Sequence, residues 1–385
     1  MRRNILSMAA LAVAAAFTLT SCLSDGDDTI VLEDGNTTGI PGDDQAGPNP
    51  TIDNQTTTIP NITTTLEGDG STAIARIDMT GVQEGGGYDW LRLVGTGQGG
   101  QNVWVEVDGK PKGIAVVNNA DNEGSQTMPK IDLVFCVDNS GSMSEEADAI
   151  ARDIVNWANL LQNSSLDIRF GCVGYSMWGE ISGAINMTDA NTLSDYLNRT
   201  TGTSRTVGFA GADADELEAA ANSLGSTGDE CGGQAIAYAN DNMDFRTGAN
   251  RIYVNFTDEP NYPDRNDRWS TEFFKSQTNW SAAQGTVHTV FSGSKSISHN
   301  VGTSEQPWRI SEYTGGTVLY ADADFSNVTL ASLPVTGAMQ NSYIIRFTNI
   351  GEFLDGQPHL VKITILSPDG KTKAERTFYV TFGTV

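Results

Sequence analysis

The run Ile131-Asp132-Leu133-Val134-Phe135-Cys136-Val137 passes without a break into Asp138-Asn139-Ser140-Gly141-Ser142-Met143. Its near-continuous apolar, largely β-favouring character is that of a strand buried on both faces, as in parallel sheets covered by helices. At its carboxyl end the chain offers Asp-x-Ser-x-Ser, one carboxylate and two hydroxyls, followed by an acidic helix start, Ser144-Glu145-Glu146. Open α/β sheets place their ligands outside the carboxyl ends of their strands. Hard oxygen donors in that position suit Mg²⁺ or Mn²⁺ and do little for softer metals. The plainer role for Asp138, Ser140 and Ser142 is to cap the helix that follows. The neighbouring loops bear on the choice.

From Ile131 onward strands and helices alternate, which implies a mostly parallel sheet. Apolar residues at helical spacing mark a helix over 149–161, and further helices are expected over 213–224, 233–243 and 269–283. Strands are expected at 166–175, 252–256, 286–291 and 315–320, with a short antiparallel one at 181–187. On either side lie β-patterned segments. Before the α/β region, 73–79, 90–94 and 103–107 read as strands, and Asp108-Gly109 reads as a hairpin turn into 112–117. After it, strands are expected at 342–347, 359–366 and 375–382.

Two more loops belong with Asp-x-Ser-x-Ser, because a hard divalent ion wants about six ligands. One is Gly225-Ser226-Thr227-Gly228-Asp229-Glu230-Cys231-Gly232-Gly233 before a helix; the other is Thr257-Asp258-Glu259-Pro260 after a strand. With Tyr313-Thr314-Gly315-Gly316 before the last strand, these stretches resemble the metal-ion-dependent adhesion site of von Willebrand factor A domains, a family shared with integrins. The resemblance covers residues from about 130 to 333. It implies a Rossmann-like α/β domain and a metal, Mg²⁺ with Mn²⁺ or Ca²⁺ as substitutes, held by Asp138, Ser140, Ser142, Thr227, Glu230 and Asp258. Asp138 and Asp258 would orient metal-bound water. The middle loop departs from the commonest pattern of a Thr in a Gly-rich turn, so Asp229 is a candidate beside Thr227 and Glu230. Charge at a helix N-terminus is the other reading for Asp229 and Glu230. Glu145 and Glu146 fall where integrin β subunits place a second acidic pair, although a helix start accounts for them better.

The N-terminus reads as a targeting segment. Arg2-Arg3 precedes an apolar stretch from Met8 to Leu19, shorter than the roughly 20 residues of a membrane span. It ends in Leu19-Thr20-Ser21-Cys22, which resembles a bacterial lipobox whose cysteine is lipidated. The expected organisation is a leader at 1–21, a disordered, acidic, Thr-rich tether at 22–71, a first β-sandwich segment at 72–128, the α/β domain at 129–334 and a second β-sandwich segment at 335–385. The two β segments are each near the lower size limit for a separate core, so one sandwich with the α/β domain inserted in it is expected. The resemblance offers a parallel in the integrin β domain, inserted in its hybrid domain.

The formal charge is −25, from 48 acidic and 23 basic residues, and no basic patch offsets it. Such a chain repels phosphate backbones, so nucleic-acid binding is not expected. Besides Cys22 there are Cys136, Cys172 and Cys231, with no CxxC pair. The first two sit in strand-like runs, and Cys231 lies beside the middle loop. Gly174-Tyr175-Ser176-Met177-Trp178-Gly179 misses the hydrolase elbow Gly-x-Ser-x-Gly by one residue, and Ser292-Gly293-Ser294-Lys295 has no companion motif. The expected protein is not an enzyme and has no catalytic residues. It is a lipid-anchored protein of the bacterial cell envelope, on the outer membrane or cell surface, binding through its metal a protein or glycan that offers a carboxylate. A structural or scaffolding subunit with an inactive metal site is the alternative, and a hydrolase comes last.

Overall fold

The computed structural model describes residues 31–32, 36–85, 89–121, 129–163, 166–199, 209, 211–322, 325 and 327–383. The leader and Cys22 lie outside the described residues. The strands before the α/β domain are β1 (Val31–Leu32), β2 (Ile62–Glu67), β3 (Ile74–Met79), β4 (Val103–Val107), β5 (Lys110–Lys112) and β6 (Ile114–Asn118). Inside it are β7 (Lys130–Asp138), β8 (Asp167–Tyr175), β9 (Ile181–Thr188), β10 (Gly211–Ala212), β11 (Ala249–Thr257), β12 (Thr286–Phe291) and β13 (Val318–Tyr320). After it come β14 (Tyr343–Phe347), β15 (His359–Leu366) and β16 (Lys373–Val380). The helices are α1 (Ser144–Gln162), α2 (Ala190–Leu197), α3 (Asp215–Leu224), α4 (Gly232–Asn242), α5 (Thr271–Lys275), α6 (Trp308–Thr314) and α7 (Pro334–Gln340).

The central sheet has seven strands in the order β10-β9-β8-β7-β11-β12-β13. Strand β7 runs parallel to both neighbours, β8 and β11, while β9 is antiparallel to β8. The order reverses at β7, so the switch point of this doubly wound sheet lies beside the end of the strand that delivers Asp138. Alternation along β7 explains its unbroken apolar run. Ile131, Leu133, Phe135 and Val137 pack with Ile154 and Trp157 of α1 and with Val335 and Met339 of α7. Val134 and Cys136 pack on the opposite face with Ala235, Ile236 and Tyr238 of α4. Both faces are covered, and the fold class is the one expected.

The flanking strands form a five-stranded sheet, β1-β2-β3-β14-β6, and a four-stranded sheet, β16-β15-β4-β5. Strand β14 pairs antiparallel with β3 on one side and with β6 on the other, and β15 pairs antiparallel with β4. Each sheet therefore needs strands from both ends of the chain. Period-two patterning builds the core between them: Val103, Val105 and Val107 from β4, Val361, Ile363 and Ile365 from β15, and Ala75, Ile77 and Met79 from β3. The Asp108-Gly109 turn has positive φ at both residues, 48° and 75°, as a tight two-residue hairpin requires. At Gly113 the chain changes sheet, from β5 beside β4 to β6 beside β14.

Four expectations need correction. A stretch of the expected tether, Ile62–Glu67, is a strand antiparallel to β3, with Ile62 and Leu66 buried in the sandwich core. Its Thr-rich middle is β-branched, which suits a strand once a neighbour supplies the pairing. Residues 335–340 are not β but lie in α7, where Pro334 takes the first helical position that suits proline. The helix expected over 269–283 is reduced to α5 between two 3-10 turns, because the Trp280 indole turns back to donate to the Gly285 carbonyl at 2.8 Å. Residues 90–94 contribute only an isolated bridge from Trp90 to Gln83.

Candidate functional site

Strand β7 ends in a carboxyl group wholly removed from water. The Asp138 Oδ1 accepts the Ser140 N–H at 2.9 Å, and its Oδ2 accepts the Thr257 hydroxyl at 2.8 Å from the end of the adjacent β11. The Ser140 and Ser142 hydroxyls are 2.9 Å apart, and the Ser142 hydroxyl donates to Asp258 Oδ1 at 3.1 Å. One hydrogen-bonded row thus runs Thr257–Asp138–Ser140–Ser142–Asp258 across the carboxyl ends of two parallel strands. The expected association of Asp138, Ser140, Ser142 and Asp258 is present in the folded chain. α1 begins at Ser144 with no side-chain cap at Met143, and both serine hydroxyls take part in the row.

The electrostatics of this row are strained. Burial pushes the Asp138 carboxyl up to about 7, the charge of Asp258 adds to this, and the hydrogen bonds from Ser140 and Thr257 oppose it. Burial also raises Asp258. Glu230 is pushed up to about 9, by burial first, then by a hydrogen bond with Asp229 and by the charge of Asp138. Burial, Asp258 and Asp229 together raise Glu259. Four carboxyl groups at one sheet edge resist ionisation, and a cation among them would reverse that resistance.

The middle loop reaches the same edge by a different route. Glu230 is buried and feels the charge of Asp138. The Thr227 hydroxyl is also buried, but it donates to the Asp229 carbonyl at 2.5 Å and to the Trp178 carbonyl at 3.4 Å. Asp229 is exposed, and its Oδ1 accepts the Glu230 N–H at 3.1 Å. Glu146 is buried in the first turn of α1, and the Glu145 side chain lies outside the described ones. Among the described residues no group of three or more His, Cys, Asp or Glu side chains is disposed to hold a metal ion. The row is of another composition, with hydroxyls between two carboxylates.

Residues that sequence reasoning passed over hold these loops together. Thr257 closes the row from β11; its position immediately before Asp258 was the available signal. Glu305 is fully buried, and its carboxylate accepts the Thr271 N–H at 2.6 Å, the Gly302 N–H at 2.8 Å and the Asn261 amide at 3.1 Å. Asn261 in turn accepts the Gly233 N–H at 2.8 Å and the Cys231 thiol at 3.4 Å. Tyr262 N–H donates to the Glu230 carbonyl at 2.8 Å. This hub ties the loop after β11, the loop before α6 and the start of α4 into one unit. Cys231 belongs to it as a buried structural thiol, pushed up to about 12 by burial.

Replacing Glu305 by alanine strands two buried donors, the Thr271 N–H and the Asn261 amide, at roughly 1–3 kcal/mol each, and frees the half-buried Gly302 N–H. We expect a loss of about 3–5 kcal/mol in urea unfolding, with E305Q losing less. A loss under about 1 kcal/mol would show that the hub does not support the site.

No protein-family model matches this chain, and no curated protein matches it. Among solved structures it is similar to an aerotolerance-related membrane protein from Bacteroides fragilis, with 15% identity over 51% of this chain and 94% of that one and a TM-score of 0.31. Manganese-loaded TRAP protein from Plasmodium vivax has 12% identity over 71% and 98%, with a TM-score of 0.32. The pilus adhesin SpaC from Lactobacillus rhamnosus GG in its open conformation has 11% identity over 78% and 52%, with a TM-score of 0.36. Likeness at this level says nothing of ligand or partner, and the functional reading rests on the residues of the chain itself.

Proposed function

We propose that this chain, with a von Willebrand factor A-like α/β domain carried on a β-sandwich, is an interaction or adhesion protein of the bacterial cell envelope that grips its partner through a divalent cation. Asp138, Ser140 and Ser142 would hold Mg²⁺, or Mn²⁺ or Ca²⁺, with Asp258 and Glu230 around them and Thr227 further back in the same loop. The cation would supply positive charge among these carboxyl groups, so that an acidic protein can receive a carboxylate from a protein or glycan. The hydrogen-bonded row from Asp138 through Ser140 and Ser142 to Asp258 carries this reading. Two features support it. The donors are hard oxygens of the kind Mg²⁺ prefers. Burial and the charge of Asp258 both raise the buried Asp138 carboxyl, and a cation would offset both.

Thr257 orients Asp138 through its hydroxyl, and the parallel pairing of β7 with β11 sets the two ends side by side. The function proposed for this arrangement is binding, without turnover. Lipidation at Cys22 would fix the chain to a membrane, and no helix among the described residues is long and apolar enough to cross one.

Calorimetric titration of Mg²⁺ into the wild type, Ser142→Ala and Asp258→Ala tests the metal site. One site is expected in the wild type, weakened at least about tenfold in each variant. Equal binding by all three would refute the assignment. Cys22→Ala is expected to shift the chain from the membrane to the soluble fraction; unchanged sedimentation with membranes would refute the anchor.

A further inference from the structure

A cavity of about 410 Å³ lies where the sandwich meets the α/β domain. It sits at the amino ends of β11 and β12, across the sheet from the acidic row at the carboxyl ends. Thr63 of β2 lines one side, the turn before β11 with Arg251 a second, and Gln284 before β12 a third. The walls are fixed to one another. The Thr63 hydroxyl has the Ala249 carbonyl at 3.2 Å and Asn250 Oδ1 at 3.1 Å as acceptors. The Asn61 amide donates to the Arg251 carbonyl, and the Thr286 hydroxyl donates to the Pro60 carbonyl. Gly248 has a φ of +70°, and a Cβ there would stand 2.8 Å from the Thr65 methyl, so glycine lets the turn before β11 close on β2. Gln284 is held by the Ser281 N–H, which donates to its Oε1 at 2.6 Å.

No Asp or Glu among the described residues lines this cavity, and its two arginines differ. Arg246 is neutralised by Asp132, at 2.8 Å, and by Asp167. Arg251 has no carboxylate partner among the described residues. Its guanidinium lies over the Phe245 ring, 4.5 Å from the centroid, and donates from Nη1 to Asn240 Oδ1 at 3.3 Å. Stacking and this hydrogen bond hold the planar fork in place, and its other N–H groups meet no protein acceptor among the described residues. Elsewhere the chain pairs its half-buried and buried cations with carboxylates, as at Arg76, Arg346, Lys112 and Lys362. With 48 acidic residues against 23 basic ones, a guanidinium without a carboxylate stands out. A fixed guanidinium fork matches the paired oxygens of a carboxylate or phosphate. We infer that the cavity binds a small oxyanion on Arg251, and that the bound anion bridges the α/β domain and β2 of the sandwich. A free acid and an anionic lipid headgroup offer the same group. The site is separate from the acidic row and independent of the metal reading.

The test titrates phosphate, citrate and glycerophosphoglycerol into the full chain by calorimetry, at constant ionic strength and in EDTA. At least one is expected to bind at a single site with a Kd below about 1 mM, and to raise the melting temperature saturably. Arg251→Gln is expected to weaken that binding at least about tenfold. Ala283→Trp, which fills the cavity from its exposed rim and keeps Arg251, is expected to do the same. Tighter binding of glycerophosphoglycerol than of phosphate and citrate assigns the lipid headgroup as the source, and the reverse assigns a free acid; either result supports the site. Absence of saturable binding by all three overturns the inference. So does binding that both variants retain at the wild-type level. If Arg251→Gln does not fold, Ala283→Trp decides alone: undiminished binding overturns the inference, and a tenfold loss supports it.

Discussion

Asp138→Asn is expected to abolish Mg²⁺ binding and yet make the metal-free α/β domain more stable above pH 7. The reason is the buried carboxyl. A carboxyl moved from 3.8 to about 7 disfavours folding by roughly 4 kcal/mol once it is charged. Because the folded value is the higher one, no penalty applies below about 4. It grows from there to about 7 and is complete above that. The metal-free wild type should therefore lose stability as pH rises from 5 to 8, and Glu230, pushed up to about 9, extends the loss further. Asparagine keeps the shape, accepts the Ser140 N–H and lets the Thr257 hydroxyl turn toward the Glu259 carbonyl 3.4 Å away. Its melting temperature at pH 8 without metal should exceed the wild type's by about 5–10 °C, and its pH slope should be shallower. Mg²⁺ should raise the wild type alone. Thermal unfolding at several pH values, with and without Mg²⁺, checks all of this; a variant that melts lower than the wild type at pH 8 would contradict it.

Removing residues 342–385 is expected to destroy the sandwich while sparing the α/β domain. The cut takes away β14, which lies between β3 and β6, and β15, which lies between β16 and β4. Strands β2 and β3 would be parted from β6, and β4 would keep only β5. The apolar faces of Ile77, Val105 and Val107 would lose Ile345, Val361 and Ile363, which complete their core. A two-stranded remnant is marginal in water. The α/β domain keeps α7 and both of its own cores, so proteolysis should leave a fragment near 129–341. A stable fragment spanning 60–121 from the truncated chain would show that the first β segment folds alone.

The site was legible where chemistry and periodicity coincide. β7 carries a period that only a doubly covered strand satisfies, and Asp-x-Ser-x-Ser follows it at once. The loop at Asp258 could be read from the strand before it. Other features were hidden for physical reasons. Glu305 and Asn261 are single polar residues in irregular loops, and their partners are backbone groups supplied by distant turns, so no spacing announces them. Thr257 counts only because parallel pairing sets it across from Asp138. Ile62–Glu67 reads as polar and Thr-rich until β3 pairs with it. The order of β14 between β3 and β6 is a long-range fact, for which local pattern offers strand character and nothing about neighbours.

The central claim is that a divalent cation sits in the row at the end of β7. Anomalous diffraction at the manganese edge, from crystals of the full chain grown with Mn²⁺, tests it most directly. One strong peak is expected, bounded by Ser140 and Ser142, between Asp138 and Asp258, and absent from Asp138→Asn crystals. No peak at that position under saturating Mn²⁺, or a peak held by other residues, would contradict it.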